Sequence, residues 1–464
     1  MTAYPKHERL LATLRTAYTE QYPRSAAADA RARRVLVDGI SHGARLFDPY
    51  PFRVAAAEGS AVTAIDGQRI IDFWQGHYAN ILGHNPAVIR DALIAELQCG
   101  SGLQTGLPEE RLIAYGERLA ETLGAERVRL TTAGTLATMY AIMLARGYTG
   151  RQVVLKLAGG WHGANPLALK GVNRTQEGFT RADSAGVPSA TTDEIMVTRF
   201  NDVAALEEVF RQAGDRIACL IFEPCLGGAG FVPASAEFMR AARELTAHHG
   251  ALLILDEVIT GFRFCAGGVQ RLYGVTADLS TYGKIIGGGM PISAVAGRAD
   301  VMELSGQGAQ PRVMFNGGTF SEHPLSVLAG LAMVEYLQAH EAEIYPALAA
   351  RGEELRRGIE KVFADRGILA RCTGHGNEVV KGGSLISVYF PRQEGFCPMS
   401  SEDFTDPLLT DVILREQALK VGLLLDGVNV MHGLGAVATT HTSADLAQVY
   451  AAFDAFALRL QAEA

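Results

Sequence analysis

The sequence predicts an α/β protein, with a large domain built on a mostly parallel sheet covered by helices and a smaller α+β domain beside it. Three observations carry this expectation. Short apolar runs of strand length alternate with helical periodicity through the middle of the chain. The run Ala251-Leu-Leu-Ile-Leu255 is apolar without alternation, as in a strand buried on both faces. Glycine is in excess, 51 residues against 17 prolines, which implies many close backbone approaches of the kind that hold a phosphorylated ligand.

In chain order, the first forty residues read as surface helices, with an Ala- and Arg-rich stretch from Arg24 to Arg34 and no identifiable chemistry. From Arg53 to Trp74 the pattern becomes β-rich around Asp66-Gly67, a hairpin signal, so a small antiparallel sheet is expected there. Beyond residue 85 come helix 87–97, strand 128–130, helix 136–145, strands 153–157 and 217–222, helix 236–248 and the buried strand 251–255. A helix over 326–340 then leads to a C-terminal α+β portion with a strand at 385–390. The expected division is an N-terminal segment (1–75) that joins the small domain, a large ligand-binding domain (76–330) and a C-terminal small domain (331–464).

Composition excludes several functions. The chain has 464 residues, 48% hydrophobic, with 42 basic against 50 acidic side chains and a net charge of −8. Charges are not gathered into runs, so neither a nucleic-acid face nor a polybasic membrane patch is expected. No apolar stretch approaches the ~20 residues of a membrane span, and charges stand where a signal peptide would be apolar. A cytoplasmic protein follows. The six cysteines show no CxxC pair or zinc spacing, and read as reduced, mostly buried thiols.

Two segments carry the sharpest chemistry. Asp256 directly follows the buried strand, where ligands sit in a parallel sheet, and Lys284 lies 28 residues further on in Tyr282-Gly-Lys-Ile-Ile-Gly-Gly-Gly-Met-Pro291. Glycines let a bulky ligand crowd the backbone while the amine faces it. Removal from water favours a neutral amine, the form that attacks a carbonyl to make a Schiff base. A buried carboxylate such as Asp256 suits a protonated ring nitrogen. The lysine is followed by Ile285 rather than Ser or Thr, so the segment is not a nucleotide P-loop. Thr131-Thr-Ala-Gly-Thr-Leu-Ala137 marks a strand giving way to a helix, a phosphate cradle by its free N–H groups and dipole, or an ordinary N-cap. Gly159-Gly-Trp-His-Gly163 sets an aromatic on a loop, fit to stack on a planar ring, and Gly317-Gly-Thr-Phe320 offers a further hydroxyl.

Together these segments resemble the class III (fold type I) pyridoxal-phosphate aminotransferases, above all the glutamate-1-semialdehyde 2,1-aminomutase branch. The similarity runs from about residue 35 to the C-terminus and is densest over 251–291. It implies a seven-stranded type of sheet, pyridoxal 5′-phosphate as cofactor, an amino acid and a 2-oxo acid as substrates, and a homodimer with sites at its interface. Lys284 would hold the cofactor as a Schiff base and later move a proton. Asp256 would hold the pyridinium nitrogen, Val258 would pack beneath the ring, and Gly134 and Thr135 would cradle the phosphate. Trp161 would stack on the ring where the family usually has Tyr or Phe, Glu223 would lie near the phenolic oxygen, and Thr319 would reach the phosphate of the neighbouring subunit. The segment 163–188 would be a mobile loop over the site.

Two departures stand out. The family's Ser-Gly-Thr-Glu-Ala reads Ala133-Gly-Thr-Leu-Ala137 here, without one hydroxyl and one carboxylate. The aminomutases' Phe-Glu-Ala-Gly-Phe, whose carboxylate approaches the substrate, reads Met431-His-Gly-Leu-Gly435, which makes an aminomutase the lesser reading and intermolecular amino transfer the main one. The N-terminal stretches 38–49 and 76–84 look more like D-phenylglycine aminotransferase. Arg45 falls where that branch places an arginine for the substrate carboxylate, a bidentate match for a guanidinium, and His77 and Tyr78 are candidates to line the substrate pocket.

Overall fold

The chain begins with two helices, α1 (Glu8–Gln21) and α2 (Pro23–Ala32), in a computed structural model that describes residues 7–99, 102–173 and 179–462. Helix α1 is more than a surface element. Leu10, Leu14 and Tyr18 recur at helical spacing on one face and are buried, and the Tyr22 hydroxyl donates to the carbonyl of Leu424 at 3.0 Å. The helix therefore docks the N-terminus against the C-terminal part of the chain.

Strands β1 (Val54–Glu58), β2 (Ala61–Ala64) and β3 (Arg69–Asp72) form the expected antiparallel sheet, with Asp66-Gly67 in the turn and Gly67 at φ +104°. A fourth strand, Val428–Asn429, pairs in parallel with β3, Val428 opposite Ile71. This strand was not legible in the sequence, because two residues carry no periodicity.

The central sheet has seven strands: β4 (Arg127–Thr131), β5 (Val153–Leu157), β6 (Ile195–Thr198), β7 (Ile217–Phe222), β8 (Leu252–Asp256), β9 (Leu279–Tyr282) and β10 (Ser293–Gly297), in the spatial order β4-β10-β9-β8-β7-β5-β6. Only β10 runs against its neighbours. The runs VVLKL, IACLIF and LLILD are buried at every position, as strands covered by helices on both faces must be. Helix α3 (Gly134–Thr149) follows β4, and α4 (Ala236–His249), capped by the Ser235 hydroxyl accepting from the Phe238 N–H at 3.0 Å, precedes β8.

Helix α5 (Pro324–Ala339) starts with proline in its first turn and continues almost directly into the 25-residue α6 (Glu341–Asp365). The strand expected at 385–390 is instead two short pieces, Leu385–Ile386 and Val388–Tyr389, which pair with different partners. The interruption is Ser387, whose N–H and carbonyl both bond to Thr373. All six cysteines are unpaired, four of them buried. Among the described residues no helix is long and apolar enough to cross a membrane.

Candidate active site

Every sharp motif of the sequence lies at the carboxyl end of a strand in the central sheet. Asp256 ends β8, Lys284 follows β9, the turn into α3 follows β4, Trp161 and His162 follow β5, and Glu223 follows β7. Strands β8 and β9 are parallel neighbours with Asp256 opposite Thr281, so the acid and the lysine are brought together by register. These groups line one cavity of about 530 Å³, the position the general rule for parallel sheets assigns to a ligand.

Asp256 is 3% exposed and held by three partners, which leaves acceptor capacity toward the cavity. Its Oδ1 accepts from the Thr281 hydroxyl (2.9 Å) and the Val258 N–H (3.1 Å), and its Oδ2 faces His162 Nδ1 at 2.7 Å. The other ring nitrogen of His162 is buried without a partner among the described residues, and burial holds this imidazole below its ordinary pKa. Glu257 alternates to the opposite side of the strand, where it accepts from the N–H groups of Val269 (2.6 Å) and Gln270 (3.3 Å). Two adjacent acids thus have separate tasks, one in the cavity and one tying down the following loop.

Lys284 sits at φ +49°, a left-handed conformation unusual for a side chain with a Cβ, directly after Gly283. Withdrawal from water lowers its pKa, against the opposing charges of Asp256 and Glu223. Glu223 accepts from the Trp161 N–H (2.8 Å) and the Gly227 N–H (3.0 Å), yet burial, helped by Asp256, raises its pKa to about 7. Burial thus favours its protonated form more than for an ordinary carboxyl group.

Helix α3 opens onto the cavity with Ala133 as its N-cap, which supplies no side-chain acceptor, so the first-turn N–H groups at Gly134 and Thr135 face the cavity uncapped. The absent Ser and Glu of the family pattern therefore leave an open helix N-terminus rather than a self-capped one. Gly134 is required by packing, because a Cβ there would lie 2.8 Å from a Val258 methyl group. Gly163, at φ +79°, passes so close to Thr135 that a Cβ would come within 2.6 Å of its Cα. A lysine, a buried acid, an uncapped helix N-terminus and the half-exposed Trp161 fit pyridoxal phosphate: an amine for its carbonyl, a carboxylate for its ring nitrogen, N–H groups for its phosphate and an aromatic face for its ring.

Arg45 and His77 line the same cavity, with His42 beside them at 5.4 Å from the His77 ring. Burial, then the charge of Lys284, pushes the His77 pKa down to about 3. Tyr78 does not line the cavity. Its ring is 2% exposed, packs edge-on against Phe231 at 5.3 Å, and its carbonyl accepts from the buried Arg263. Thr319 is exposed and outside the cavity, its carbonyl accepting from Gln104 at 3.1 Å. Residues 174–178 of the segment read as a loop over the site lie outside the described residues. His162 and His42 also line the cavity and carry no strong sequence signal. A histidine between the stacking aromatic and a left-handed glycine was the available signal for the first, and nothing local marks the second.

The fold and the cavity define a pyridoxal-phosphate enzyme of fold type I. Residues 43–381 match the family model "Aminotransferase class-III", and the chain belongs to that family, with pyridoxal phosphate as its cofactor. Glutamate-1-semialdehyde 2,1-aminomutase of Methanopyrus kandleri is 38% identical over 378 residues, covering 81% of this chain and 85% of that one. An omega-transaminase from Sphaerobacter thermophilus superposes with a TM-score of 0.84 at 32% identity, covering 95% and 97% of the two chains. A transaminase with PLP bound gives 0.82 at 30%, covering 95% and 99%. The name of the Methanopyrus relative runs against the expectation that an aminomutase is the lesser reading.

Proposed function

We propose that the protein moves an amino group from an amino acid to a 2-oxo acid, with Lys284 as the covalent anchor of the cofactor. The observation that carries this is the convergence of Lys284, Asp256 and the uncapped start of α3 on one cavity. Pyridoxal phosphate supplies an electrophilic carbonyl carbon and an electron-accepting ring. The rest is the work of this chain's side chains. Burial favours the neutral amine of Lys284, the form that would hold the cofactor, and the same side chain would move a proton to and from the substrate carbon. Asp256, fixed by Thr281, Val258 and His162, would keep a positive charge on the ring nitrogen. Gly134 and Thr135 would take the phosphate, Trp161 and Val258 would enclose the ring, and Glu223 would serve its phenolic oxygen. Arg45 pairs with the substrate carboxylate, with His77 beside it. Thr319, exposed in one subunit, reaches the phosphate of a second copy in a homodimer.

The names of the sequence relatives support an alternative more than this reading: exchange of the amino group within one molecule, as in glutamate-1-semialdehyde 2,1-aminomutase. Support for transfer between two molecules comes from His432, which stands where the aminomutase pattern has its carboxylate and is held by Glu416 Oε2 at 3.0 Å. The two readings separate in one experiment. Purified holoenzyme is given an amino donor with and without pyruvate or 2-oxoglutarate, and glutamate-1-semialdehyde alone. Transfer between molecules requires the oxo acid for turnover, whereas steady turnover of the semialdehyde alone establishes the aminomutase.

A further inference from the structure

A second chamber of about 310 Å³ adjoins the cofactor cavity, and Arg45, Gly76 and His77 line both. Its walls are mostly apolar, with Phe47, Phe52 and Trp74 among them. Lys420 also lines it, 7% exposed, with its Nζ 4.7 Å from the Phe47 ring centre and 5.6 Å from that of Trp74. This ammonium makes one hydrogen bond, to the Val430 carbonyl at 3.0 Å, and no ion pair among the described residues. Two of its three donors are unspent, which is costly for a buried cation unless something completes the site. Asp72 lines the chamber too but has nothing to give. It already accepts from His84 (2.8 Å), Asn429 (2.7 Å) and the N–H groups of Trp74 and Gln75 (3.0 Å each). The buried indole N–H of Trp74 has no partner either among the described residues.

We propose that this chamber receives an aryl side chain of the substrate, with Lys420 donating to an oxygen acceptor at the far edge of the ring. The proposal rests on the amino-transfer reading of the adjoining cavity and names the side-chain class that cavity takes. A substrate whose carboxylate meets Arg45 stands at the junction of the two spaces, with its amine toward Lys284 and its side chain toward the aromatic walls. Flat apolar walls suit a ring, and the unspent donors suit an oxygen on it.

Binding of unreactive acids to the holoenzyme, read by calorimetry, tests this without turnover, so failure of the chamber and failure of amino transfer remain distinct. Expected is about tenfold tighter binding of 3-phenylpropanoate than of propanoate from ring burial, and about fivefold more for 3-(4-hydroxyphenyl)propanoate from the added hydrogen bond. Val54→Trp, a substitution at a half-exposed wall residue, fills the chamber and erases both gains while propanoate binds as before. Lys420→Met erases only the gain from the hydroxyl. Unchanged visible absorbance of each variant shows that the cofactor site has folded. Aryl acids that bind no tighter than propanoate, or that keep their advantage in Val54→Trp, overturn the proposal. A hydroxyl gain that survives Lys420→Met overturns the role of Lys420.

Discussion

At residue position 256 the chain places a carboxylate held by a hydroxyl, a backbone N–H and an imidazole, all within 3.1 Å, with acceptor capacity left toward the cavity. Such a group is held against reorientation, and in the proposed reading its negative charge would face the positive charge of the protonated ring nitrogen. Asp256→Asn keeps the shape and removes the charge, so kcat is expected to fall by about 100-fold or more, read in single-turnover kinetics, with little change in the fold by circular dichroism. A second residue-scale prediction concerns stability. His441 is 1% exposed, stacked on Phe73 at 4.5 Å, and burial pushes its pKa down to about 4 from 6.5. The folded protein therefore holds it neutral, and stability is lost as pH falls below about 6.5. Between pH 7.5 and 5.0 the wild type loses about 2 kcal/mol through this group, which His441→Gln does not. Urea unfolding of both proteins at the two pH values should show their stability difference shifting by that amount in favour of the variant at pH 5.0.

At the scale of elements, the strand-to-loop junctions were legible because each is a contiguous motif: an apolar strand followed by glycine, hydroxyl or charge. Runs such as IACLIF and LLILD declare themselves by unbroken hydrophobicity. Strands β6, β9 and β10 (IMVT, LSTY, SAVAG) were not read, being short and built from hydroxyl-bearing or small side chains. The turn Gln75-Gly-His-Tyr78 was equally hidden. All four residues have positive φ (46°, 61°, 65° and 67°), a left-handed turn that costs about 1–2 kcal/mol for each residue with a Cβ, and it is this turn that aims His77 at the cavity and Tyr78 away from it. No sequence pattern announces it. The close passage of Gly163 by Thr135 gives a direct test of how loop and helix cooperate. Gly163→Ala pushes the loop off the start of α3 and is expected to weaken cofactor binding at least about tenfold, measured by equilibrium dialysis, because a misplacement of about 1 Å suffices for a larger loss in a preorganised site.

At the scale of the whole molecule, the two ends of the chain meet: a strand at 428–429 extends the N-terminal sheet, and α1 packs where Leu424 lies. Pairings separated by hundreds of residues leave no local signature, which is why the N-terminal helices read as plain surface elements. The exposed Thr319 belongs to this scale as well. In a homodimer that shares its cofactor sites, Thr319→Val lowers cofactor affinity several-fold while sedimentation still shows a dimer; a monomer, or an unaffected affinity, contradicts that arrangement. The lysine between Gly283 and Ile285 is proposed as the residue that holds the cofactor. The chain contains other buried lysines depressed in pKa, Lys156 and Lys420, each brought to about 8, so burial alone does not choose among them. Reduction of the holoenzyme with borohydride followed by peptide mass spectrometry makes the choice. The expected result is a phosphopyridoxyl group on the peptide containing Lys284 and on no other; a label on Lys156 or Lys420, or none at all, contradicts the account.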